Sequence, residues 1–572
     1  MTTLIQRRNA LLNATAAPQR IDQPGDDIFA NRAMARLFAG VRTEDANRQI
    51  VRTAAWFDFP HPHGRDLRGE PDFASINLAC AIYALRDATS ISAVARDAIK
   101  RFFLSTDFQS FYDSENHHLL FRSSRYLAAQ EWPGETFSAW TKSGHALMHE
   151  DREWLSAFLR YRAGHGWAEF DSSCYLMPDF EALLALQEYA SDEEVQSLAR
   201  MTLNVLLADM AVDSCGGYHG GAMGRIYPGN ATDHTATASI VLQHLYFDNV
   251  PAEIFSNDVS VQLVTTTFEP EALVVRIARE RAEPYINRER KHLHNMSDVR
   301  PAQPMEESIR KISQWTPEYL LGCVQHQDAY PQTASASTAG YAFHQQHDWD
   351  LTFAASPKAR LFTHHPGNFD QHNHWTGDQR CGCGRYLQAG STLLGLHAPA
   401  VDDPLPYIHA FVPRAEFDEF VEEEGWIFVR SGDAYAGLLL VDGYQWVTEG
   451  EWANREVRSP SSLGGYGVIC TANRAAQCAS FGAFRDEARG GDVRFNRASL
   501  TLEYASPVEG VLTLAASGIR LVNGQAIELD YAAYDSPYLQ ADWGSKTVKL
   551  AFGKEQMLLD FESVQTFTGP AA

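Results

Sequence analysis

The sequence predicts a multidomain chain, α then β: helical hairpins arranged as an (α/α) toroid over residues 1–295, followed by an antiparallel β-sandwich over residues 296–572. Three observations carry this expectation. The chain has 572 residues, beyond the size at which one hydrophobic core keeps growing, so two domains are the natural expectation. Apolar residues recur at helical spacing as far as about residue 295. After about residue 300 that period gives way to short apolar runs separated by turn signals. Helices first and strands second read as consecutive domains.

The helical elements follow in order. "DREWLSAFLRYRAGHG" places Trp154, Leu155, Phe158 and Leu159 on one face, with Gly164 as the expected stop. Pro178 sits where a first-turn proline is tolerated, and Phe180, Leu183, Leu184 and Leu186 follow at helical spacing. Ser191 and Glu194 read as a capping box opening a further helix through Val195, Leu198, Val205 and Leu206. Hairpins repeated over nearly 300 residues suggest a bundle or a toroid with a concave site at one rim. In the second half, Trp426–Val429 and Tyr435–Val441 flank the turn Ser431-Gly432-Asp433. "SLTLEYASPVEGVLTLAASG" repeats that arrangement, and "TVKLAF" is a late strand.

Composition narrows the function classes. With 45% hydrophobic and 21% charged residues the chain is an ordinary globular protein. A net charge of −24 excludes a nucleic-acid partner, which needs a basic footprint. Aromatic residues at 11%, with 12 Trp and 22 Tyr, suit the stacking of sugar rings as well as a large core. The 8 cysteines are too sparse for a disulfide scaffold. No apolar run is long enough to span a membrane. The first residues lack the apolar core of a secretory signal, so a cytoplasmic protein is expected unless a leader has been removed.

Three polar clusters interrupt the helical half. "SENHH" (Ser114, Glu115, Asn116, His117, His118) stands immediately before an apolar run. Ser114 can cap a helix and Glu115 can complement its dipole, which leaves the Asn116-His117 pair unexplained. "GHGWAEFDSSCY" puts His165, Trp167, Glu169, Asp171 and Tyr175 on a loop between helices, either as a functional rim or as turn chemistry. "CGGYHGGAMGRIYPGN" carries Tyr218, His219, Arg225 and Tyr227 among closely spaced glycines, so its backbone must bend sharply or approach something closely. It lacks the lysine of a nucleotide loop.

Asn, His, Arg and Tyr together suit β-elimination from a uronic acid. Donors such as Asn116, His117 and Arg225 would neutralise the carboxylate and so acidify the adjacent C5 proton. A tyrosine or histidine then takes that proton and returns one to the leaving oxygen. A phenol with an ordinary pKa of about 10 needs a neighbouring cation for this, and Arg225 is two residues from Tyr227.

On "ENHH" and "GRIY" the chain resembles polysaccharide lyases of the alginate, chondroitin and heparinase types. The resemblance implies a toroid plus sandwich, Asn/His as carboxylate neutralisers and Tyr/His as acid and base. "ENHH" lacks the doubled Asn and following aromatic of alginate lyases, so no sugar is implied. On this reading Asn116, His117, Tyr227, Arg225 and Glu169 are catalytic candidates. His118, His165, Trp167, Asp171, Tyr175, Tyr218, His219, His374 and Trp375 are candidates for binding substrate.

In the β half, "THHPGNFDQHNHWTGDQRCGCGR" offers zinc-type ligands, including His364, His365, His372, His374, Cys381 and Cys383, at spacings unlike a zinc finger. Some heparinase-type lyases carry a structural metal in the β-domain, so a structural zinc is a candidate, while no cofactor is required for the chemistry. The alternative is a loop lending His374 and Trp375 to the cleft. The expected partner is an oligo- or polysaccharide, with a homo-oligomer left open. Two other functions stay in play: a glycoside hydrolase using paired carboxylates such as Glu169 and Asp171, and a non-catalytic glycan-binding protein.

Overall fold

A computed structural model describes residues 2–17, 27–57, 70–109, 114–256, 259–292, 308–327, 346–366, 374–375, 384–399, 405–460 and 465–570. As far as Glu280 the described chain is mainly helical, interrupted by the two-stranded ribbons Thr136–Phe137/Lys142–Ser143 and Ser214–Cys215/Tyr218–His219. The Glu115–Glu131 helix lies among Pro71–Ala84, Gly144–His165 and Leu176–Tyr189. It is buried on nearly every side, including Leu119, Leu120, Ser123, Ser124 and Leu127. This arrangement explains why the segment lacks a solvated face.

Helix ends depart from the sequence reading in two places. The Gly144–His165 helix stops at Gly166, whose φ of 63° needs no Cβ, and not at Gly164. Gly164 instead lies against the C-terminal hairpins, where its carbonyl accepts from Gly544 N at 2.9 Å. The Glu193–Val212 helix is capped by Asp192, whose Oδ1 accepts from Glu194 N and Val195 N, both at 3.1 Å. Ser191 donates to Gln130 instead.

Among the described residues every strand pairing is antiparallel, and three sheets are stacked. A 13-stranded sheet runs from Gln445–Trp446 through Tyr319–Gln327, Ser308–Trp315 and Tyr285–His292 to Gln565–Pro570. A six-stranded sheet packs on it, and a five-stranded sheet covers the far side. The strand Trp426–Ser431 shows how period-two alternation builds two cores. Ile427 and Val429 join Leu321, Trp349 and Leu361 of the large sheet. Trp426 and Phe428 join Leu502, Leu512 and Leu514 of the five-stranded sheet. The sandwich therefore carries a third layer. The C-terminal strands of the large sheet, through Tyr534, Val548, Leu550 and Leu559, share a core with the helices.

In chain order the 13-stranded sheet begins at Tyr285, ahead of the 295/296 division read from the sequence. The strand Tyr285–His292 carries buried Asn287, Glu289 and Lys291 where an apolar alternation would normally mark a strand. Those polar groups belong to an ion cluster joining the two halves. Lys311 reaches Asp213 at 2.5 Å, Glu289 at 3.0 Å and also Asp171. Lys291 reaches Asp209, with Glu289 at 3.3 Å and Asp171 at 3.8 Å. No described helix is long and apolar enough to cross a membrane.

Candidate active site

The glycine-rich segment after the Glu193–Val212 helix threads between helices and sheet. A Cβ on Gly224 would come within 2.7 Å of the Phe170 backbone nitrogen, so close approach is what demands glycine there. Gly224 N donates to Phe170 O at 2.6 Å, and Met223 exchanges backbone hydrogen bonds with His347. Met223, Ile226 and Ala231 are buried in the sheet core. Pro228 favours an extended residue before it, and Tyr227 has φ −117° and ψ 162°. Because Ile226 is committed to the core, its neighbours Arg225 and Tyr227 face away from it, half-buried, toward the helices.

There they meet the other two clusters. Arg225 Nη1 donates to Glu169 Oε1 at 3.1 Å. Arg225 Nη2 donates to Tyr227 Oη at 3.0 Å and to Tyr175 Oη at 3.4 Å. The two phenol oxygens are 2.7 Å apart. The guanidinium also lies over the Tyr175 ring, 4.6 Å from its centroid. Behind it, Glu169 is buried and accepts from Asn116 Nδ2 on its other oxygen. Ser172 Oγ donates to the Arg225 carbonyl at 2.9 Å, fixing the backbone that presents the guanidinium.

The "SENHH" segment is a buried junction. Ser114 occupies the N-cap but makes no side-chain cap; its hydroxyl donates to Asn116 Oδ1 at 3.2 Å. Glu115 is fully buried, ion-paired with Arg162 at 2.8 Å, and accepts from Glu169 N at 2.8 Å. Asn116 is 0% exposed, so its amide acts on Glu169 and touches no ligand directly. His117 Nδ1 lies 2.6 Å from Asp72 Oδ2, a buried carboxylate.

The electrostatics of the site follow from burial and these pairings. Burial pushes the Glu169 carboxyl up, and Arg225 opposes it. Burial alone would lower His117, but the hydrogen bond to and charge of Asp72, with Glu70 and Glu169 nearby, raise it above the ordinary imidazole range. Burial raises Glu70, which feels both His117 and Arg225. Burial also pushes the Tyr175 hydroxyl well up, against the pull of Arg225, so this phenol keeps its proton. Glu169 and Tyr227 hold the Arg225 guanidinium firmly charged, against burial as the largest effect.

The structure thus brings together Asn116, His117, Glu169, Tyr175, Arg225 and Tyr227. It puts the other candidates elsewhere. His118 packs on Phe121 and Trp154. His165 stacks on Tyr161 at 4.1 Å and meets Trp543. Trp167 is buried against Phe158 and Arg162. Asp171, at φ 51°, turns into the Lys291/Lys311 cluster. His219 is buried beside that cluster, and burial lowers it to about 4. Tyr218 stacks on His234 at 5.4 Å.

In the β half, Trp375 is fully buried and stacked 3.9 Å from His409, so it cannot line a cleft. His374 Nε2 is 2.9 Å from Glu456 Oε2, next to His409. His364 and His365 are buried, His364 against His347 at 2.9 Å. His372, Cys381 and Cys383 lie outside the described residues. Sequence reasoning missed Asp72 and Glu70, at the start of the Pro71–Ala84 helix. The only local signal for Asp72 is its burial in a first turn, which a sequence does not display.

No family model matches the chain, and no curated protein is similar to it in sequence. Solved structures that are similar include a chondroitinase AC lyase studied with oligosaccharides, at 10% identity over 99% of this chain and 95% of that one, with a TM-score of 0.46. The Streptomyces coelicolor A3 chondroitin AC lyase, solved with chondroitin sulphate, is 11% identical over 97% of this chain and 88% of that one, TM-score 0.44. Heparinase III is 10% identical over 85% and 82%, TM-score 0.45. At these identities no residue role and no substrate passes from those proteins to this chain.

Proposed function

We propose that the protein is a glycan lyase that cleaves a uronate-containing oligo- or polysaccharide by β-elimination. The observation that supports this reading best is the chain Asn116–Glu169–Arg225–Tyr227–Tyr175. A buried carboxylate anchors a guanidinium, and the guanidinium is aimed at two adjoining phenols. Arg225 and the raised His117 are the cationic donors for the substrate carboxylate, and Asn116 acts through Glu169 as a positioning residue. Tyr227 acts as the base that takes the C5 proton; the C–H electrons form the C4=C5 double bond, and the C4–O bond breaks. Tyr227 then returns the proton to the leaving oxygen. Arg225 and Tyr175 are donors facing the Tyr227 oxygen, so negative charge there is met by preorganised hydrogen bonds.

The hydrolase alternative gains nothing from the geometry. Glu169 and Asp171 are spent in separate buried ion networks, where paired hydrolytic carboxylates need to flank a substrate. The test is product chemistry on a panel of uronate oligosaccharides. A lyase yields products absorbing in the ultraviolet, a hydrolase yields reducing ends without that absorbance, and a binding protein yields neither.

A structural zinc in the β half is a separate proposal. His374, His409 and Glu456 have ligand atoms close enough to hold one ion, which would brace the sheet and take no part in the elimination. Glu456 also accepts from Arg458 Nε at 2.6 Å, and no fourth ligand is supplied among the described residues.

A further inference from the structure

Two cavities flank the segment that carries Tyr227. One, of about 470 Å³, opens on the helical side and touches Cys174 and Asn230. The other, of about 490 Å³, is bounded by Pro228 and Gly229 of that segment and by Phe411, Trp452 and Arg455 of the β half. Both touch Ala236, so only the short Pro228–Ala236 stretch separates them. Both have the size of small-molecule sites. Neither is lined by Arg225, Tyr175 or Tyr227, and the elimination chemistry gives the second no role.

The chemistry of that second cavity is selective. The Arg455 guanidinium lies 4.9 Å from the Trp452 ring centroid and 5.5 Å from that of Phe411. It is half-buried and, among the described residues, makes no hydrogen bond or ion pair. The other cation at the rim, Lys358, is 3.4 Å from Asp233, and Glu416 accepts from Ser356 at 3.4 Å. One unspent cation therefore stands beside carboxylates able to accept from hydroxyls. Trp452, half-buried, adds indole surface to the lining beside the guanidinium that stacks on it, and His374 and Trp375 back the indole at 6.1 and 5.7 Å. Aromatic surface next to a guanidinium fork matches a pyranose ring bearing a carboxylate.

We infer that this cavity is a subsite for an acidic sugar ring lying beyond the one whose proton is removed, with Arg455 binding its carboxylate and Trp452 its apolar face. The choice of a sugar as ligand rests on the glycan reading above. The probes are disaccharides and hexasaccharides of unsulfated chondroitin, heparosan and alginate, titrated calorimetrically against the Tyr227→Phe protein. Adding Arg455→Gln should weaken the best-bound hexasaccharide by about tenfold or more, the loss of one charge-assisted hydrogen-bonded pair. The matching disaccharide should lose clearly less. Trp452→Ala should act in the same sense, but its indole packs on His374 and Trp375, so Arg455→Gln, with no ion pair to break, is the decisive variant. Equal affinity of the Arg455→Gln protein for the hexasaccharide, equal losses for both lengths, or failure of the parent protein to bind any of the probes would overturn the inference. A hexasaccharide held through Arg455 but left uncut by the unmutated enzyme would sustain the subsite and sink the lyase reading alone.

Discussion

Replacing Glu169 by glutamine perturbs the site without changing its shape. The carboxylate receives Arg225 on one oxygen, at 3.1 Å, and Asn116 on the other. Glutamine keeps one acceptor and turns an amide N–H toward either the guanidinium or the Asn116 amide, so one donor is left facing another. The Glu169 and Arg225 side chains are 2% and 12% exposed, so solvent compensates little. Breaking a buried pair from one side costs about 3–5 kcal/mol. Arg225 retains Tyr227 and Tyr175 as partners, which points to the lower end, about 3 kcal/mol. Arg225 would lose the anchor that aims it, and a misplaced charge-stabilising donor costs about 10²–10³ in kcat. Thermal melting and the ultraviolet product assay read the two effects. From sequence alone this substitution is expected to be mild for a lyase; the pairing with Arg225 and Asn116 reverses that. A Glu169→Gln enzyme with melting temperature and kcat within twofold of the parent would refute the reasoning.

Other outcomes follow from the same contacts. Asp72→Asn removes the partner that raises His117, so the His117 titration, followed by NMR, should move to lower pH. A raised imidazole stabilises the fold fully below its unfolded pKa of about 6.5 and loses that contribution as pH rises through the folded value. The stability gap between the parent and Asp72→Asn should therefore be widest in acid and narrow toward alkali; a constant gap would contradict it. Lys311→Met strips Asp171, Asp213 and Glu289 of a buried counter-charge and should cost about 3–5 kcal/mol in denaturant unfolding. A stable, cooperatively folded Lys311→Met protein would show that those acids are neutral. If zinc is held at His374, His409 and Glu456, chelation should lower the melting temperature without altering early kcat; an unchanged melting temperature removes the metal.

The order of helices and strands was legible because it depends on hydrophobic period, and the hairpins at Trp426–Ser431 and Ala434–Leu440 fall where their turn chemistry puts them. The convergence of Asn116, Glu169 and Arg225 was suggested by residue type, since glycines demanding close approach and an Arg beside a Tyr leave local traces. The strand Tyr285–His292 was not legible, because its inward residues are paid for by ion pairing with Lys311, Asp209 and Asp213, from other segments. Histidines and tryptophans misled for a related reason. His165, Trp167 and Trp375 have the same composition whether they line a cleft or fill a core, and only packing against Tyr161, Phe158 and His409 separates the two. Asp72 went unnoticed because its meaning comes from His117, 45 positions away.

Tyr227→Phe probes the proton transfer most directly. Deleting one hydroxyl leaves the ring, Arg225 and Tyr175 in place, and removal of a positioned acid–base group costs about 10²–10⁴ in rate. Ultraviolet product formation should fall by that factor while calorimetric affinity for the same oligosaccharide stays within a few fold. Turnover within threefold of the unmutated enzyme would show that another group moves the proton.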